Sequence, residues 1–120
     1  MQDYRKLITW QKAHYLTLFV YEVTSAFPKE ETYSLTSQLR RCMVSVPANI
    51  AEGAGRNTKL DFAHFLNISL GSINECSYYF LLAKDLHYIS ETVYDNLEKE
   101  ANELKAMLIA FIKTIRKANS

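Results

Sequence analysis

One stretch constrains the fold of this chain more than any other: Tyr33 to Gly53, YSLTSQLRRCMVSVPANIAEG. At about 100° per residue, Leu35, Leu39, Cys42, Met43, Val46 and Ile50 fall on one arc of a helix. Ser34, Gln38, Arg41, Ser45, Asn49 and Glu52 fall on a second, polar arc, and Val44, Ala48 and Ala51 make the back apolar again. An ordinary surface helix has one apolar and one solvated face. A narrow polar seam between two apolar regions predicts a helix that packs on two sides. Pro47 lies inside it, where it removes one hydrogen bond and crowds the carbonyl of Met43. The strong pattern on both sides predicts a continuous helix kinked at Pro47.

The three Gly and two Pro punctuate the rest of the chain. Phe27-Pro28-Lys29, Gly53-Ala54-Gly55-Arg56-Asn57 and Leu86-His87-Tyr88-Ile89-Ser90 separate four helical segments, at about 8–26, 33–54, 59–86 and 91–118. The second of these breaks reads as a helix C-cap and turn. Thr58 suits the N-cap of the third helix, with Asp61 three residues on, and Ser90 suits that of the fourth, followed by Glu91. The fourth helix carries Val93, Leu97, Leu104, Leu108, Phe111 and Ile115 on one stripe, thinnest at Glu100-Ala101. Breaks this short turn neighbouring helices back on one another. The prediction is one all-α domain over 1–120, an antiparallel up-down-up-down four-helix bundle, which a chain of 120 residues is long enough to pack around a single core.

The bundle has more apolar surface than one core needs. Leu16, Leu18, Phe19, Val20 and Tyr21 are nearly consecutive on the first helix, and Tyr78 to Leu82 are consecutive on the third, so neither run can turn wholly inward. With 12% aromatic residues, the excess predicts a second buried face, against another copy of the chain.

Composition excludes several functions. Net charge is +1, so no global field draws the chain to DNA, to anionic lipid or to acidic substrates. Residues 1–59 hold eight Lys/Arg against five Asp/Glu, and residues 60–120 six against eight; no run of like charge outlasts short pairs such as Arg40-Arg41 and Arg116-Lys117. Two cysteines, Cys42 and Cys76, do not make a disulfide framework and behave as small hydrophobes. The N-terminus has no apolar signal core and no run is long enough to span a membrane, which predicts a soluble, cytoplasmic protein.

Catalytic constellations are weak. A di-metal bundle needs carboxylates on several helices and two Glu-x-x-His pairs. Glu22, Glu52 and Glu75 are available to face inward, but the only acid-x-x-His is Asp61-Phe62-Ala63-His64, at a helix start. His14, His64 and His87 share no ligand spacing, neither cysteine has an activating neighbour, and the glycine-rich break follows a helix and lacks the Lys-Ser/Thr of a phosphate loop. No catalytic residue, metal or cofactor is predicted. Gln38, Arg41, Ser45, Asn49 and Glu52 read as a structural polar network. Arg41 and Glu52 lie eleven residues, or about 16 Å, apart, so their partners belong to other helices, to the turn after Gly53 or to another subunit. Arg40, Arg41, Arg56 and Lys59 are the candidate nucleic-acid contacts, with Arg40 turned away from the seam toward solvent. Symmetry in an oligomer multiplies such a modest patch.

Leu7, Trp10, Lys12 and Ala13, then Phe27-Pro28, Glu31 and Tyr33, open a series of family-like positions. It continues through Leu35-Thr36-Ser37-Gln38-Leu39-Arg40-Arg41, Ser45-Val46-Pro47-Ala48-Asn49-Ile50-Ala51-Glu52-Gly53, Gly55-Arg56, Phe62, Phe65-Leu66 and Gly71-Ser72 with Glu75. In that order, from Leu7 to about Ile89, the chain resembles the 23S rRNA intervening-sequence proteins. The resemblance implies a bundle that assembles as a ring-like homopentamer, with a proposed connection to RNA and no established catalytic residues. Related bundles serve as accessory proteins of retroelements, where a basic surface engages nucleic acid and a reverse transcriptase. The chain departs from the pattern at Cys76-Ser77, where an acid often follows Glu75, and at His87, where Gly is usual. The combined expectation is a non-enzymatic homo-oligomer associated with RNA or a nucleoprotein. The alternatives are a protein-interaction scaffold without nucleic acid and, third, a di-metal enzyme.

Overall fold

A computed structural model describes residues 2–119. The Tyr33–Gly53 stretch lies in helix α2, Leu35–Ala54, which runs unbroken through Pro47. Around it stand α1, Ile8–Thr24, α3, Lys59–Asp85, and α4, Glu91–Asn119. Short 3₁₀ turns at Tyr4–Lys6 and Lys29–Glu31 precede α1 and α2. No described helix is long and apolar enough to cross a membrane.

Local chemistry sets the ends. The Thr58 hydroxyl accepts the Asp61 N–H at 3.1 Å and the Ser90 hydroxyl accepts the Val93 N–H at 3.1 Å, so both predicted N-caps form. α2 begins two residues later than its pattern suggests. Ser34 does not cap it; its hydroxyl donates to Glu31 Oε1 at 2.6 Å, and that same oxygen accepts the Leu35 N–H at 3.4 Å. Glu31 thus takes the place of the capping side chain.

The helices stand in a square, each against its neighbours in sequence, with α1 also against α4; α1 and α3 are diagonally opposed, as are α2 and α4. Between α2 and α3, Gly53 meets Phe62 and Phe65, the Val46 carbonyl accepts the Ser69 hydroxyl at 2.8 Å, and Cys42 Sγ donates to the Ser72 carbonyl at 3.1 Å. Residue numbers fall along α2 as they rise along α3. Phe62 against Phe111 and Lys84 over the Tyr94 ring give α3 and α4 the same opposed register.

All six residues of the predicted apolar arc of α2 are buried, and they meet Val20, Leu66, Ile73, Phe80, Leu97, Leu104 and Leu108 in one core. Each such side chain contributes about 1.5–3 kcal/mol on removal from water. The thin point of the α4 stripe has a reason. Ala101 is fully buried there, and beside it Lys12 of α1 binds both Glu100 and Glu103.

The break after α2 holds the C-cap that the sequence predicts there. The C-cap is Gly55, and it keeps a right-handed conformation, φ −86°. Gly53 is inside the helix and buried because a Cβ there would lie 2.8 Å from Phe62 Cδ1 and 2.9 Å from Phe65 Cβ. Its role is to let α3 approach. Gly71, exposed in the middle of α3, has nothing within 4 Å of such a Cβ. Among the described residues, the left-handed one is His87, φ 65°. It ends α3 by donating its N–H to the Lys84 carbonyl while the Tyr88 N–H reaches the Ala83 carbonyl, both at 2.9 Å, the paired bonds of a Schellman ending.

Two outcomes follow for urea unfolding. Gly53→Ala lowers stability by about 1–3 kcal/mol through overpacking, against a helix-propensity gain of about 1 kcal/mol that Gly71→Ala receives undiminished; equal effects at both sites would refute the close-approach account. His87→Gly raises stability by about 1 kcal/mol, because it relieves a side chain held at positive φ.

Candidate nucleic-acid interface

The polar seam of α2 lies on the solvent side, and its bonds close on its own helix. The Ser45 hydroxyl donates to the Cys42 carbonyl at 2.6 Å and Asn49 Nδ2 donates to the Ser45 carbonyl at 2.8 Å. Glu52 pairs with Arg56 one turn on, at 3.6 Å, both side chains well exposed. Gln38 and Arg41 are exposed and stand apart from these bonds. No hydrogen bond from the five side chains crosses to another helix among the described residues. Local geometry supplies the reason. Pro47 has no N–H for the Met43 carbonyl, and the carbonyls at Cys42, Ser45 and Val46 around that gap each accept a side-chain donor. Ser45 and Asn49 serve the backbone near the proline.

The four candidate cations divide by what holds them. Arg40 does not point to solvent. Its Nε donates to Thr24 Oγ1 at 2.8 Å, its Nη2 to the Tyr21 carbonyl at 3.3 Å, and its guanidinium lies 4.6 Å over the Tyr21 ring. The side of α2 that carries Arg40 faces the end of α1, so the side chain is a strut between helices. Arg56 lies 4.7 Å over the Phe65 ring as well as against Glu52. Arg41 and Lys59 are exposed and neither has an ion pair among the described residues. Fifteen residues separate Arg41 from Arg56, about 22 Å along a helix axis, so the four cations form two sites.

Arg40 and Arg41 belong to a cleft of about 590 Å³ lined also by Tyr21, Tyr33, Thr36 and Ser37. It carries two guanidinium groups and no carboxylate. The sequence pattern of cations does not reveal Tyr33, which is 96% exposed; its signal is position, two residues before α2 and off the apolar arc. A cleft of similar size between α1 and α4, about 620 Å³, sets Lys12 and Lys99 against Glu100 beside Ile8, Tyr15 and Phe19.

The carboxylates, histidines and cysteines considered for catalysis do not come together in one cluster among the described residues. Glu22, Glu52 and Glu75 are exposed and do not face inward. Among the described residues no three of His, Cys, Asp and Glu come together as metal donors. His14 stacks on Trp10, ring centroids 4.9 Å apart, and His64 meets the edge of Phe65. Cys42 and Cys76 are free and buried. The hydrogen bond with Cys42, together with burial, pushes the Cys76 thiol up and keeps it protonated.

The sequence profile of the 23S rRNA-intervening sequence proteins matches residues 5–110. The chain belongs to this family. The match extends past Ile89 into α4 and takes in the whole cleft and all four cations. Among solved structures, the chain is similar to a crystal structure of a protein of unknown function from the S23 ribosomal protein family of Bacteroides thetaiotaomicron. The two are 25% identical with a TM-score of 0.82, over 88% of this chain and 99% of that one. Comparison with curated proteins gives no match.

Beside the cleft, the connections at one end of the bundle are joined. The Tyr88 hydroxyl donates to Glu31 Oε2 at 2.6 Å, and its ring packs on Phe27. Bonds from Ser34, Tyr88 and the Leu35 N–H hold the Glu31 carboxyl below its usual 4.5, while the bond to Glu31 raises Tyr88 above 10.0. A depressed carboxyl stabilises the fold above its unfolded pKa and loses that contribution as pH falls through the folded value. The raised phenol does so below pH 10 and loses it as pH rises further. Unfolding midpoints measured against pH should therefore fall below about pH 4.5, less steeply in Glu31→Gln. Tyr88→Phe should keep part of the acid slope, since Ser34 and Leu35 still bind Glu31; a slope unchanged in Glu31→Gln would remove Glu31 from the account.

Proposed function

We propose that this family member is a non-enzymatic cytoplasmic protein that assembles with copies of itself and associates with RNA or an RNA-bound protein. The observation that carries the assembly is the pair of outer faces on diagonally opposed helices. α1 exposes Ile8, Tyr15 and Leu18, with Ile8 at 72% and Tyr15 at 68%; α3 exposes Leu60, Ile68, Tyr78 and Leu81. The chain itself cannot cover both faces. Head-to-tail repetition does, and such contacts close into a ring when the rotation allows. Five is the subunit number that the family resemblance implies. Association with RNA rests on the family name and on the cations of the α1–α2 cleft and the α2–α3 turn.

A second reading, an interaction scaffold without nucleic acid, is favoured by one observation. Arg40 and Arg56 are already engaged inside the chain, which leaves Arg41 and Lys59 for phosphate. Light scattering and RNA titration separate the readings. The first gives a particle several times 13.9 kDa and an RNA affinity that falls with salt, with a slope of about 0.7 per phosphate contacted on a single strand. A concentration-independent monomer overturns the assembly, and assembly without salt-dependent RNA binding selects the scaffold.

A further inference from the structure

We propose that the cleft between the end of α1 and the first turns of α2 takes one unpaired nucleotide of an RNA strand, its phosphate on Arg41 and its base on Tyr33. This rests on the association with RNA proposed above and names the site and form of the ligand.

Charge is the first argument. The cleft holds Arg40 and Arg41 with no acid in its lining, whereas the α1–α4 cleft contains Glu100 and the cleft at the α3–α4 turn sets Lys84 against Asp85 and Glu91. Several other cations have an acid beside them: Arg5 has Asp3, Lys12 has two glutamates, and Arg56 has Glu52. Arg41 has no such partner among the described residues. Its planar, always-charged fork of donors is suited to a phosphate. Arg40, fixed by Thr24 and the Tyr21 carbonyl, adds a second positive charge on a rigid wall.

Shape is the second. Ser37, Arg41 and Ser45 follow one another at i, i+4 and i+8, so they line one side of α2 along the cleft. Tyr33 stands at the rim with its ring almost wholly in solvent, engaged by no side chain among the described residues. An exposed aromatic beside a lone guanidinium matches the two parts of a nucleotide, because any base has a face that stacks.

The geometry also selects the form of the strand. A base inside a duplex is stacked on its neighbours and cannot reach Tyr33, and double-stranded RNA is held through 2′-hydroxyl and phosphate contacts spread over about 16 base pairs. Of the four candidate cations, the other open one, Lys59, lies past the far end of α2, about 20 Å along the helix from Arg41. The cleft therefore suits a loop, a bulge or a free strand.

The experiment is fluorescence anisotropy on the full-length protein with a labelled oligouridine and with a blunt duplex of equal length, across a salt series. Oligouridine should bind at least tenfold more tightly than duplex. Tyr33→Ala should weaken oligouridine about 5- to 100-fold with the salt slope unchanged, and Tyr33→Phe should restore it. Arg41→Ala should lower the slope by about 0.7 per site. Both residues are exposed, so thermal melting should show each variant folded as the parent. If oligouridine binds but neither change matters, while Arg56→Ala and Lys59→Ala weaken it, the cleft is overturned and the association with RNA survives. Binding of no RNA overturns both. Competition by polyglutamate that depends equally on Tyr33 assigns the cleft to an acidic protein and overturns the proposal.

Discussion

One close approach is the contact on which the rest depends: α2 against α3 at Gly53. No side chain other than hydrogen fits between the helix and Phe62 and Phe65. Once that end is set, the register runs up the pair through Ser69 to Val46 and through Cys42 to Ser72. Both of these bonds end on main-chain carbonyls at the interface, where an unpaired polar group costs about 1–3 kcal/mol. Sliding α3 by one turn would break both and drive phenyl rings into backbone. With α2 fixed in rotation, its remaining surface is assigned: the arc from Leu35 to Ile50 goes inward, the Arg40 side goes to α1, and the seam goes to water.

That assignment explains why residues of one motif have different work. In Ser45-Val46-Pro47-Ala48-Asn49, the proline leaves the Met43 carbonyl without its usual donor. Ser45 and Asn49 bond to nearby carbonyls of the same helix, and Ser69 supplies a third donor from α3. A seam that looks like a binding surface when drawn on a helical wheel is, at its centre, support for an interrupted turn. Toward its N-terminal end, at Gln38 and Arg41, the seam carries side chains with no hydrogen bond or ion pair among the described residues.

Periodicity made much of the fold legible before any coordinates. The six apolar residues of α2 are all in the core, and hydroxyl caps at Thr58 and Ser90 marked two helix starts, because each signal is local to one helix. What stayed hidden depended on a second element. Arg40 is outside the apolar arc, so a wheel sends it to solvent; the end of α1 provides Thr24 and a carbonyl that no local rule places there. Gly53, at the edge of a turn, carries no local sign of its close approach to Phe62 of α3. The start of α2 shifted because the Glu31 carboxylate, itself held by Tyr88 from the α3–α4 connection, took the Leu35 N–H. The site was less legible than the fold for the same reason: four cations in sequence became two engaged and two open only when their neighbours were in place.

A near-neutral chain with one open arginine in its cleft makes a weak partner for RNA, and here the two proposed properties depend on each other. Phosphate contacts add in number rather than in individual strength, so a single Arg41 per molecule gives little affinity at physiological salt. Repetition around a closed assembly, as proposed, would place identical clefts at fixed spacing and convert later contacts on one strand into intramolecular ones. The apolar faces of α1 and α3 lie outside the cleft lining. Substitution there that leaves each cleft intact but separates the copies would remove this gain. The loss on separating copies would then exceed the loss from any one arginine in a single cleft.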